Sequence, residues 1–255
     1  MFTPILSFDP GTVWKYLFNP LILEGARTTV IVALLAQALG VALGLFSALM
    51  RMSKNPLIST PANFYVWFFR GTPLLVQLLF WFVGVPELFG SNRTVVDILS
   101  PFRVAVFGLA INEGAYMTEI VRAGIESVES GQMDAAKSLG MTYPMAMRRI
   151  ILPQAFRVIL PPTGNEFIAM LKNSSLCFAI ALIELTNAAK SIYAANYKTM
   201  ELLVVASIWY LVMTSIFSLL QAELESRLAV GQTVRPPTLF GRMTEAFGTR
   251  ETRVH

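Results

Sequence analysis

The stretch TTVIVALLAQALGVALGLFSALM, Thr28 to Met50, contains no charged side chain. As a helix rising about 1.5 Å per residue it is long enough to cross the roughly 30 Å hydrocarbon core of a bilayer. A helix is the form such a stretch must take there, because it satisfies every backbone N–H and C=O internally. The predicted first span is residues 28–50. It exceeds the apolar region of a signal peptide, about 7–15 residues, and no short basic segment precedes it, so it reads as a retained span. Trp14, Tyr16 and Phe18 around Lys15 read as aromatic anchors of an interfacial segment over residues 1–24.

Four more stretches follow the same pattern. FYVWFFRGTPLLVQLLFWFVGVP, after Pro61 and interrupted only by Arg70, predicts a span over 61–85, and VAVFGLAINEGAYMTEIVRAGI predicts one over 103–125. VILPPTGNEFIAMLKNSSLCFAIALI marks a fourth at 158–183, and the charge-free LLVVASIWYLVMTSIFSLLQA a fifth at 202–222. The expected fold is therefore an all-α polytopic membrane protein with five transmembrane helices. The composition agrees: 55% of the 255 residues are hydrophobic and 14% charged, which excludes a disordered chain, and the single cysteine, Cys177, excludes a disulfide scaffold. The net charge of +4 fits basic cytoplasmic loops better than a nucleic-acid footprint.

Lys and Arg are retained on the cytoplasmic side, and they set the orientation. Arg51, Lys54, Arg122, Lys137, Arg148, Arg149, Arg157, Arg227 and the arginines beyond it fall on one side; Lys15, Arg27, Arg93, Arg103, Lys190 and Lys198 fall on the other. The N-terminus is expected outside and the C-terminus in the cytoplasm, with residues 229–255, which include Pro236 and Pro237, as a partly disordered cytoplasmic tail.

The spans are not alike. Ala36, Gly40, Gly44 and Ala48 recur every fourth position of the first, so they share one face. Such a stripe is either a close-packing seam, between helices or between subunits, or simply the glycine content common in membrane helices. The third span carries Glu113 and Glu119, and the fourth Glu166 and Lys172. A charge at the bilayer centre costs at least about 2.5–3.5 kcal/mol, so these helices are expected to line the working path. Asn112, Tyr116 and Glu119 share a helix face with Glu113 beside it, and Pro161, Pro162 and Gly164 are expected to loosen the fourth span just before Asn165 and Glu166. The candidate path residues are Asn112, Glu113, Tyr116, Asn165 and Glu166. Glu119 has Arg122 three residues on and reads first as half of an ion pair that pins the helix, while Lys172 meets either a carboxylate or the transported solute.

Between the third and fourth spans, residues 128–153 are too polar to cross and too patterned for a linker. They read as two short helices: Asp134 lies in the first turn of one and Gly140 closes it, Thr142 caps the next with Pro144 in its first turn, and Pro153 lies beyond its end. Asp134, Ala135, Ala136, Gly140, Ile150, Leu152 and Pro153 reproduce the spacing of the EAA loop of binding-protein-dependent ABC importer permeases, with Asp134 in place of the usual glutamate. RGTPLLVQ from Arg70, AYMTEIVRAGI from Ala115, GQMDAAKSLGMT from Gly131 and GNEFIAMLKNSSL from Gly164 resemble the polar amino acid branch, which includes histidine, glutamine, glutamate and arginine permeases. The resemblance runs from about Gly25 to Leu228.

That resemblance implies a type I ABC importer transmembrane domain over residues 25–228. It also implies an amino acid path worked by alternating access, and coupling through residues 131–153 to a separate ATPase dimer. Asp134, Ala135, Ala136, Leu139 and Gly140 are the implied coupling residues. No G-x-x-x-x-G-K-[ST] loop is present, so ATP and Mg are expected on the partner ATPase and no cofactor on this chain. The further implied partners are a second permease, identical or homologous, an extracytoplasmic amino-acid-binding protein and the bilayer of a prokaryotic inner membrane; no nucleic acid is expected. Two carboxylates favour a basic or neutral polar amino acid. A secondary amino acid transporter without an ATPase is the competing reading, though such proteins usually repeat their spans internally. A histidine-dependent intramembrane enzyme is excluded because the only histidine is the terminal His255, and no pore motif marks a channel.

Overall fold

A computed structural model describes residues 8–90, 92–128 and 130–228; the expected tail, 229–255, and the first seven residues lie outside the described part. Helix α1, Pro10–Leu17, is capped by Asp9, whose carboxylate accepts from the Gly11 N–H and the Thr12 hydroxyl and is held below the usual carboxylate range by those bonds. Its Trp14 is 70% exposed. Asn19 and Pro20 then start α2, Pro20–Arg51: the Asn19 side chain accepts from the Leu21 N–H, and Pro20 lies in the first turn, where no N–H is required.

The chain continues through α3, Pro56–Gly71, α4, Leu74–Leu88, and the short α5, Arg93–Ile98, to α6, Pro101–Glu126. After α7, Ser130–Ser138, come α8, Tyr143–Ile180, α9, Leu185–Asn196, and α10, Thr199–Leu228. The fold is all-α, with no strand among the described residues. Helices α2, α6 and α10 are each long and apolar enough to cross a bilayer, and counting the bent pairs α3–α4 and α8–α9 as one broken span each gives five. Of these, α6 is the central helix: 67% of its apolar window is buried, against 22% for α10.

The small-residue stripe of α2 is a seam inside the chain. Ala36, Gly40, Gly44 and Ala48 are all buried, and the backbones of α2 and α6 approach so closely that a Cβ on Gly40 would lie 2.6 Å from the Glu113 Cγ. A Cβ on Gly44 would strike the Met117 side chain and lie 3.0 Å from the Gly114 carbonyl oxygen. The opposite face of α2 presents Leu34, Leu35, Phe46 and Leu49 outward, as a lipid-facing surface does. Helix α2 also serves all three apolar clusters. Ile22 and Ala26 pack with Leu185 and Leu202, Val32 and Ala36 with Leu78, Leu109 and Leu171, and Ala48 with Met117, Val121 and Ile151.

Two of the spans are bent. The stretch predicted as a span over 61–85 breaks at Thr72 and Pro73, where α3 and α4 meet at 106°. Proline disfavours a helical residue before it, and Thr72 is extended at φ −116°, ψ 146°. In the fourth span Pro161 and Pro162 do not loosen the helix as expected: α-helix runs unbroken over Leu152–Asn173. The Gln221 side chain of α10 donates to the Pro161 carbonyl at 3.1 Å, and the Thr163 hydroxyl donates to the Ile159 carbonyl. The break comes later, where a 3-10 turn, Ser174–Ile180, ends at Ala181 with φ 59°. The fully buried Glu184 then caps α9, accepting from the Thr186 and Asn187 N–H groups and from the Tyr210 hydroxyl of α10.

Residues 130–153 also differ in detail from the expectation. Asp134 lies in the middle of α7 and not in its first turn. Gly140, at φ 78°, does close the helix, with the Gly140 N–H on the Lys137 carbonyl and the Met141 N–H on that of Ala136. Pro153 does not lie beyond a short helix; α8 continues through it. A π-helical turn, Met147–Ile151, precedes it, just as Phe80–Gly84 precedes Pro86 in α4. The wider turn accommodates the ring and missing N–H that would otherwise break an α-helix.

Gly44→Val should destabilise the chain by about 1–3 kcal/mol through overpacking of this seam, seen as a lower unfolding temperature in detergent. Gly71→Ala, where an added Cβ meets nothing within 4 Å, should leave that temperature nearly unchanged; equal stability of the two variants would contradict the seam.

Candidate functional site

The break between α3 and α4 is held open by side-chain amides. The carbonyls at the end of α3 have no helical partner, and in an apolar layer each unpaired one would be costly. The Gln77 amide donates to the Phe69 carbonyl at 3.0 Å, to that of Thr72 at 3.1 Å and to the Thr72 hydroxyl at 2.7 Å. The Asn112 amide of α6 donates to the same Phe69 carbonyl at 3.1 Å and to the Gln77 side-chain oxygen at 3.0 Å. Asn112, a predicted path residue, thus spends its donors on fastening α6 to the break.

The bend leaves a cavity of about 500 Å³, within the usual range for a small-molecule site. Arg70 to Leu74 form one wall, Asn112, Glu113 and Tyr116 of α6 a second, and Glu166, Met170, Asn173 and Leu176 of α8 a third. Four of the five predicted path residues therefore meet in one place. Asn165 does not line it: its side chain is turned to α10, where it accepts from Gln221 at 3.1 Å. Lys172 is exposed, absent from the cavity wall and in no ion pair among the described residues.

Glu113 is 4% exposed, and its Oε1 is buried without a hydrogen-bond partner. It reaches this position because Gly40 opposite has no side chain. A buried polar atom left unpaired costs roughly 1–3 kcal/mol, more when charged, so this oxygen lacks a donor among the described residues. Glu166 borders the same space, half-buried.

Glu119, one helical turn beyond Tyr116, belongs to a different place. Arg51 bonds to it, Arg122 reaches it at 2.9 Å and Arg70 at 3.2 Å, beside a second cavity of about 450 Å³. The expected pairing with Arg122 is present, and Arg51 and Arg70, from the ends of α2 and α3, join it. The two cavities share Arg70, Gly71 and Tyr116. Arg70 is the residue that reading by helix faces missed; its signal was a lone charge inside an apolar stretch, immediately before Gly-Thr-Pro.

The predicted coupling residues divide by exposure. Asp134, Ala135, Leu139 and Gly140 face outward, with Leu139 82% exposed, whereas Ala136 is buried beside the π-helical turn of α8.

Residues 40–230 match the family described as "Binding-protein-dependent transport system inner membrane component". The arginine transport system permease protein ArgU of Corynebacterium glutamicum is 44% identical over 96% of this chain and 79% of its own length. The glutamine transport system permease protein GlnP of Escherichia coli is 32% identical over 88% of this chain and all of its own. Among solved structures, a chain of an amino acid ABC transporter crystallised with histidines is 43% identical with a TM-score of 0.79, covering 87% of this chain and 100% of that one. A chain of the MetNI methionine ABC transporter, 15% identical with a TM-score of 0.66 over 86% of this chain and 99% of its own, shares the fold. The chain is thus a member of the binding-protein-dependent inner-membrane components, a permease of the polar amino acid ABC importers with the type I transmembrane fold.

Proposed function

We propose that this chain forms the path for a basic or neutral polar amino acid, entering from an extracytoplasmic binding protein, and that a separate ATPase dimer drives it by alternating access. The observation that carries the reading is the Glu113 carboxyl, 4% exposed with an unpartnered oxygen, on a cavity that Glu166 also borders. An ammonium or guanidinium group there gains what the protein withholds, and an anionic side chain would meet two carboxylates. Similarity to an arginine permease at 44% identity supports the basic end of that range.

Coupling runs through residues 131–153. Ala135 on α7 and Leu139 just beyond its end are exposed, so small and apolar surface is available to a groove on the ATPase, while buried Ala136 and the Gly140 turn hold α7 against α8. Rigid connection matters, since α8 continues without interruption to Glu166 and the cavity wall. A second permease completes the assembly. The cluster of basic residues near α7 supports a cytoplasmic C-terminus and an extracytoplasmic N-terminus.

In proteoliposomes containing the permease with its ATPase and binding protein, Glu113→Gln should raise the apparent KM for a basic amino acid about tenfold or more, a loss of about 1.4 kcal/mol. Unchanged uptake kinetics would remove Glu113 from the path. Ala135→Asp should abolish uptake and substrate-stimulated ATP hydrolysis while membrane insertion and unfolding temperature stay normal; normal uptake would contradict the coupling assignment. Uptake that persists without the ATPase would instead indicate a secondary transporter.

A further inference from the structure

Among the described residues, Arg70 is the only cation on the wall of the cavity that holds Glu113 and Glu166. Its side chain is 42% exposed, and its guanidinium lies over the Tyr116 ring at 5.3 Å from the centroid. Among the described residues its one ion pair, to Glu119 at 3.2 Å, is not aligned as a hydrogen bond, and none of its N–H groups makes a hydrogen bond. Glu119 does not depend on it, because Arg51 and Arg122 both hydrogen-bond that carboxylate. Arg70 is therefore a positioned guanidinium with no hydrogen bond to the described residues, on the wall of the same cavity that two carboxylates line.

From this juxtaposition we infer that Arg70 binds the α-carboxylate of the transported amino acid, while Glu113 and Glu166 take the ammonium and a cationic side chain. The inference rests on the reading of this cavity as the amino acid path and adds the group that reads the backbone end of the solute. A guanidinium can grip a carboxylate through two parallel N–H···O bonds, which an ammonium cannot. With both carboxylates ionised, the wall carries a formal charge of −1 from two carboxylates and one guanidinium. An amino acid of net charge +1 neutralises it, with its own carboxylate at Arg70 and its two cationic groups at the acidic residues. An amine lacking the carboxylate leaves Arg70 unsatisfied and brings its positive charge beside it.

The test is equilibrium binding to the permease purified with its ATPase, without the binding protein, so that selection by the latter does not enter. The probes are L-arginine against agmatine, and L-lysine against cadaverine, each pair differing by the α-carboxylate. The wild type should bind the amino acid at least tenfold more tightly than its amine. Arg70→Gln should abolish that ratio by weakening the amino acid while leaving the amine unchanged or bound more tightly, Arg70→Lys should restore part of it, and Glu113→Gln should weaken both members of each pair. Retention of the wild-type ratio in Arg70→Gln, with the Glu113→Gln loss still present, would overturn the Arg70 assignment and leave the cavity reading intact. Insensitivity of both members to Glu113→Gln would overturn the cavity reading and this inference with it.

Discussion

The hydrogen bonds that close the end of α3 are the constraint on which the rest depends. Proline at residue 73 forces the chain out of the helix inside an apolar layer, and the carbonyls of Phe69 and Thr72 must then find donors. Gln77 and Asn112 supply them. Asn112 is on α6, so repair of the break also docks the central helix and brings the next residue, Glu113, to the cavity edge. The same bend places Arg70 at the junction of two cavities. One broken span thus creates the space, fixes its acidic wall and positions its single cation.

Close packing makes that arrangement affordable. Between membrane helices, apolar side chains gain little over lipid, and backbone approach through small residues supplies the association. The α2–α6 seam through Gly40 and Gly44 performs this role, and Gly40 also leaves the room that Glu113 occupies. A side chain at that position would remove both the seam and the buried carboxyl.

Much of this was legible in residue order. Charge-free length identified the spans, the position of Glu113 and Glu166 within them identified the helices around the cavity, and the spacing from Asp134 to Pro153 identified the family. What was not legible depends on partners far apart in sequence. Pro161 and Pro162 look like a break, yet α-helix runs unbroken through them, with the Gln221 amide of α10 on the Pro161 carbonyl. Thr72 and Pro73 look like a minor interruption, yet they turn the chain by 106°. Asn165 shares its helix with Glu166 but turns to α10 because Gln221 is there. Helical periodicity states which residues share a face and not which neighbour that face meets.

The most direct measurement is a structure of the permease–ATPase complex with bound L-arginine. The account predicts the amino acid in the cavity at the α3–α4 break, with its carboxylate on Arg70 and a cationic group within hydrogen-bond distance of Glu113 or Glu166. An amino acid bound elsewhere in the membrane domain, with that cavity lined by the same residues but empty, would contradict it.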